Sequence, residues 1–205
     1  MEQPPHVVLL DTGINWNQGK YSNLQLMATQ SFYNEPLFVD TVTHGEKMLD
    51  ILSENLTGKA KISVGKVINN AGKGTPSGFS HGLIWAAGLY PDVVVIPLGL
   101  VKPNSSVKAA LEILANTNCK VYAAVGDPEV AQSRSLYPAA YPECIAVGSA
   151  CYQSDYATWS SKPNLIMREF KTATRKLKSV QMGTETATML AVAEYLNRNK
   201  KAAAF

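Results

Sequence analysis

Cysteine is scarce: the 205 residues hold three, Cys119, Cys144 and Cys151. An odd number without a C-x-x-C pair excludes a disulfide framework and a zinc knuckle, and buried thiols are expected. Excess charge of one sign is missing too. Nineteen Lys and Arg against 16 Asp and Glu leave a net +3, without the basic stripe that tracks a phosphate backbone, so no nucleic-acid partner is expected. No apolar run approaches the about 20 residues of a membrane helix, and Met1 to His6 lacks the charge and hydrophobic block of a signal peptide. The expectation is a cytoplasmic protein with no membrane contact. What the chain does have is apolar side chain for a core, 46% hydrophobic residues against 17% charged. One domain is expected over residues 1–205, its core spanning about 7–199, with no repeat, low-complexity tract or linker. The basic stretch Lys171 to Lys178 reads as solvated surface, and Lys200 to Phe205 as a frayed end.

Hydrophobic period alternates along the chain. Val7-Val8-Leu9-Leu10 is a short apolar run stopped by Asp11-Thr12-Gly13, the pattern of a buried strand ending in a turn. Residues 44–56 read as helix, with Met48, Leu49, Leu52 and Leu56 at near-helical spacing and Gly58 as terminator. Lys61 to Ile68 returns to strand, and Asn69 to Gly74 is a loop. A helix over 78–88 precedes the β-branched run Val93-Val94-Val95-Ile96, cut off by Pro97. Val107, Ala110, Leu111 and Leu114 mark a helical face capped by Ser105 or Ser106. Strands at Lys120 to Val125 and Ile145 to Ser149 flank a polar loop holding Pro128, Pro138 and Pro142. A last helix from Thr184 presents Met189, Val192, Ala193 and Leu196. Strands alternating with helices imply an α/β fold in three layers, a mainly parallel sheet with helices on both faces.

Sites in such sheets form where strands end and helices begin. Asp11 comes directly after the apolar run of the first strand, Thr43-His44-Gly45 opens a helix, and Gly183-Thr184-Glu185 opens the final one. Asp, then His, then a third residue on a glycine-led turn is the chain order of one known catalytic triad. Here the chain resembles the subtilisin-like serine proteases, from about Val7 to about Leu196. Val8 to Ile14 is similar to the family's aspartate motif and Thr43-His44-Gly45 to its histidine motif. Gly78 to Gly88 with Asp92 to Gly99 resembles its helix, strand and substrate-binding segment. Tyr122 to Asp127 resembles the strand and turn carrying the oxyanion-hole asparagine, and Tyr137 to Pro142 with Ile145 to Gly148 resembles the family's segment after that turn.

The departures bear on function. The resemblance implies a nucleophilic serine where this chain has Glu185, and an asparagine donor where it has Asp127. An ionised Asp127 has no N–H to give. Losing such a donor alone costs about 3 kcal/mol, and a carboxylate about 4 Å from an oxyanion would repel it by about 4 kcal/mol at an effective dielectric near 20. Glu46-Lys47 stands where the family has a small hydroxyl residue and a second histidine. Pro97, which has no N–H, stands for a serine in the substrate-binding segment. Asp11 comes so early that no inhibitory pro-region is expected before it.

The expectation is therefore a pseudoprotease that binds a peptide or a protein partner, such as an active protease or a peptide-modifying enzyme in peptide processing, with an oligomer possible. Two other outcomes stay open. One is a hydrolase in which Asp11, His44, Glu185 and Asp127 form a non-standard acid–base site. The other is a structural subunit with a filled cleft. The four residues have the donor chemistry for a divalent ion, but Glu185 paired to a protonated His44 is the expected arrangement, and neither metal nor cofactor is expected. Rescue of proteolysis by Thr184, Thr186 or Ser179 is not expected, because attack tolerates little misplacement. His81, Trp16, Trp85 and Trp159 read as surface, core or rim.

Overall fold

The computed structural model describes residues 3–126, 135–149, 165–167 and 183–202. Seven strands form one sheet: β1 (His6–Asp11), β2 (Leu24–Ser31), β3 (Ala60–Lys66), β4 (Val93–Ile96), β5 (Lys120–Ala124), β6 (Ile145–Ser149) and β7 (Leu165–Met167). The spatial order is β2-β3-β1-β4-β5-β6-β7, and every neighbouring pair is parallel. Parallel strands are covered on both faces, which is why β1 and β4 read as unbroken apolar runs. Among the described residues four helices supply the cover: α1 (His44–Asn55), α2 (Pro76–Gly88), α3 (Ser105–Ala115) and α4 (Thr184–Ala202).

Side chains alternate across the pleat, and the core divides accordingly. Val7 and Leu9 of β1 pack with Leu49 and Leu52 of α1 and with Met189, Val192 and Leu196 of α4. Val8 and Leu10 face the other way, onto Phe79 and Leu83 of α2 and Leu111 and Leu114 of α3. The three layers expected from sequence are present. β1 sits between β3 and β4, so chain order reverses direction across the sheet beside it, and Asp11 stands at its carboxyl end. That is the switch point where open α/β sheets build sites.

Several boundaries differ from the sequence reading. α2 begins at Pro76, with Thr75 accepting from the Gly78 N–H at 3.1 Å as its cap, and proline is tolerated there because the first turn has no internal partner for an N–H. Asn104 rather than Ser105 or Ser106 caps α3, accepting from Ser106 and Val107. α1 ends at Asn55, before Gly58, and Leu56 donates back to Leu52. β3 stops at Lys66, two residues short of Ile68. β2 and β7 were not expected. Leu24 to Ser31 lies at the sheet edge, where only some positions are buried, so its residues lack a clean period of two and pairing with β3 makes it a strand. Cys119 and Cys144 are buried thiols, pushed up to about 12 by burial. Cys151, Trp159 and Lys171 to Lys178 lie outside the described residues. Among the described residues, no helix is long and apolar enough to cross a membrane.

Leu111 is fully buried in the layer of α2 and α3. Leu111→Ala is expected to cost about 2–5 kcal/mol, the usual range for a leucine cavity, in urea denaturation. His44, beyond the opposite face, should keep its titration curve.

Candidate functional site

Asp11 is fully buried at the end of β1. Its carboxylate accepts from the Thr12 N–H at 2.6 Å and from His44 Nδ1, at 2.8 Å on one oxygen and 3.0 Å on the other. An ionised carboxylate can only accept, so His44 carries its proton on Nδ1 and turns Nε2 away from β1. The His44 side chain is 29% exposed and Asp11 is sealed beneath it. The imidazole is the wet member of the pair.

What aims His44 is the start of α1. Its N-cap Thr43 has φ 60 and makes no side-chain capping bond, a left-handed conformation that costs a β-branched residue about 1–3 kcal/mol. Asp40 takes over the capping. One of its carboxylate oxygens accepts from the N–H groups of Val42 at 3.1 Å and Thr43 at 2.8 Å. The other accepts from Thr12 Oγ1 at 2.8 Å, and Thr12 Oγ1 accepts in turn from the Gly45 N–H at 2.9 Å. Thr12 thus ties the turn after β1 to the first residues of α1. The approach is so close that a Cβ on Gly45 would strike the Gly13 carbonyl. Gly13 itself, at φ 110, has the Leu37 carbonyl 2.6 Å from where a Cβ would stand. Both positions require glycine.

Glu185 lies in the first turn of α4. Its carboxylate folds back over Gly183, within 2.5 Å of where a Cβ on that glycine would stand. Burial, the largest influence on His44, pulls its pKa down; the charge and hydrogen bond of Asp11, then the charges of Glu185 and Asp40, outweigh it and hold the pKa above its ordinary value. Glu185 therefore acts on the same imidazole as Asp11. Thr184 and Thr186 are buried, and Thr184 Oγ1 accepts from the Gly126 N–H at 3.1 Å, docking α4 on the end of β5. Asp127 and Ser179 lie outside the described residues. Among those described, no three His, Cys, Asp or Glu side chains are grouped to hold a metal ion.

Glu46 pairs with Lys20 at 3.0 Å and accepts from Asn15 at 3.0 Å, outside the imidazole's contacts. His81 is exposed on α2, and Pro97 is buried after β4. Trp16 stacks on Tyr21 with centroids 5.2 Å apart, and Trp85 meets Phe32 edge-on at 6.0 Å; both tryptophans are part-buried packing. Thr12, Asp40 and Lys66 were missed in the sequence. A lysine closing an apolar strand and an aspartate four residues before His44 were the available signals.

A buried aspartate at the end of a parallel strand is bonded to a histidine at a helix start, and the charge of Glu185, in the first turn of a later helix, acts on that histidine. Comparison with known proteins bears on the fold. Subtilisin DY of Bacillus licheniformis is 28% identical over 166 residues, covering 76% of this chain and 60% of that protein. Thermitase of Thermoactinomyces vulgaris is 25% identical over 169 residues, covering 78% and 60%. A subtilisin of Bacillus pumilus is 32% identical over 98 residues, covering 47% and 36%. No family model matches the chain. The chain is thus a relative of the subtilisins with a subtilase-like α/β fold, and its matched part spans 60% of Subtilisin DY and of Thermitase.

The raised His44 pKa has a signed consequence. Folding binds that proton more tightly than the unfolded chain does, so the stabilisation is complete below about pH 6.5, the ordinary histidine value, and is lost as pH rises through the folded value. Asp11→Asn should lower the midpoint of the His44 Hε1 resonance in an NMR titration, and Glu185→Gln should lower it by less. Stability measured in urea should decline across the same interval in the unsubstituted protein and decline less in Asp11→Asn. Identical midpoints in all three proteins would contradict the assigned contacts.

Proposed function

We propose that this chain is a noncatalytic relative of the subtilisins that binds a peptide or a protein partner without cutting it. The observation that carries this reading is Glu185, a carboxylate whose charge raises the proton affinity of His44. Acyl transfer needs an alcohol or thiol beside a base that is free to take its proton. At Glu185 there is no such proton to take, and a negative charge at that place favours imidazolium, which cannot act as a base. Asp127 adds a second acidic side chain by sequence where the resemblance implies an amide donor. What stays usable is the part-exposed face of His44 at the carboxyl ends of parallel strands. A partner of peptide chemistry, such as the precursor handled by an active protease or a peptide-modifying enzyme, suits it best.

The test is to pass an unstructured peptide library over the immobilised protein and sequence both fractions by mass spectrometry. Intact peptides should be retained and no new termini should form over hours. A fluorophosphonate probe, which requires an activated alcohol, should leave the protein unlabelled. Cleavage that vanishes in Glu185→Ala would replace this reading with an acid–base hydrolase, and failure to retain any peptide or protein would leave only a structural subunit.

A further inference from the structure

Lys66 closes β3 and is fully buried, one of the largest side chains with no exposure. In the parallel register it stands opposite Asp11. A buried ammonium must be met by acceptors or carboxylates, and the acceptors around Lys66 come from three loops. Its Nζ donates to the Thr12 carbonyl of the turn after β1. It reaches the Val39 carbonyl, next to Asp40 in the segment leading to α1, at 3.5 Å. It donates to Asn70 Oδ1 in the loop after β3 at 2.9 Å. The Glu35 carboxylate stands 3.9 Å away. Burial is the largest influence on the ammonium and pulls its pKa down, opposed by the charges of Asp40, Glu35 and Asp11; the charges acting on His44 are those of Asp11, Glu185 and Asp40. Asp11 and Asp40 belong to both sets.

We propose that Lys66 is the positioning residue of the Asp11–His44 pair, clamping the turn after β1 and the segment before α1 to one buried cation. The route is short. Lys66 holds the Thr12 carbonyl; the Thr12 hydroxyl bonds Asp40 and receives the Gly45 N–H; Asp40 holds the N–H groups of Val42 and Thr43; and His44 is the next residue in the chain. Lys66 also sets a positive charge between the buried Asp11 and Asp40 and the part-exposed Glu35. This role is independent of the proposed function.

Its test is the His44 titration monitored by NMR. Lys66→Gln loses the cation and loosens both loops, so Asp11 and the Nδ1 of His44 are no longer held together and the His44 midpoint should fall by about one pH unit, a tenfold loss in proton affinity. Lys66→Arg, which keeps the charge, should restore most of it. Leu111→Ala, destabilised in the distant helix layer, should leave the midpoint in place, which separates positioning from general loss of stability. An unchanged midpoint in folded Lys66→Gln would overturn the proposal, as would a rise, which is the response to removing a simple opposing charge. The unsubstituted protein gives a second measurement that needs no variant. The Lys66 ammonium protons should exchange with water far more slowly than those of exposed Lys73, and equal exchange rates would overturn the proposal as well.

Discussion

A carboxylate with no exposure, Asp11 at the end of β1, is the constraint around which this end of the molecule is organised. An isolated buried charge would give up its ionisation rather than bear its desolvation. Asp11 is met instead by a backbone N–H, by the Nδ1 proton of His44 and, across the β1–β3 register, by the strand position of a buried lysine. Each of these comes from a different part of the chain, so the charge is tolerable only once the strand order is complete. The site and the switch point of the sheet are two aspects of one arrangement.

The same arrangement determines how α1 begins. A left-handed threonine is a poor helix start, and it persists because Asp40 holds the backbone N–H groups of Val42 and Thr43. Thr12 joins that cap to the strand end through its hydroxyl. Two glycines make room for the contact, one in the turn and one inside the helix. His44 is consequently fixed by backbone geometry and capping rather than by its own packing, which leaves its ring partly exposed above the sheet.

Against that fixed imidazole, the first turn of α4 contributes an acid, Glu185. Glu185 and Asp11 then press on His44 in the same direction, toward the charged imidazolium. A histidine poised to hold a proton and one poised to accept it are opposite chemical states of one residue, and two neighbouring carboxylates select the former. The relatives with which the chain shares its fold are subtilisins and a thermitase.

The unbroken runs Val7–Leu10 and Val93–Ile96, the helical faces at Leu49 and Leu111, and the positions of Asp11, His44 and Glu185 at element ends were all legible in the amino-acid order. They depend on short-range period and on turn residues. The edge strand β2 was not legible, because half-exposed residues take strand form only when a neighbour offers a ladder. Nor were the partnerships of Lys66, Asp40 and Thr12. Hydrogen bonds between residues 27 to 54 apart in the chain leave no periodic trace, and burial turns a lysine that reads as an ordinary strand end into a clamp. Sequence alone determined the layers and which polar residues reach the sheet's carboxyl edge; tertiary structure decided which of them meet, because only the completed parallel register brings the buried Asp11 and Lys66 together beneath the part-exposed His44.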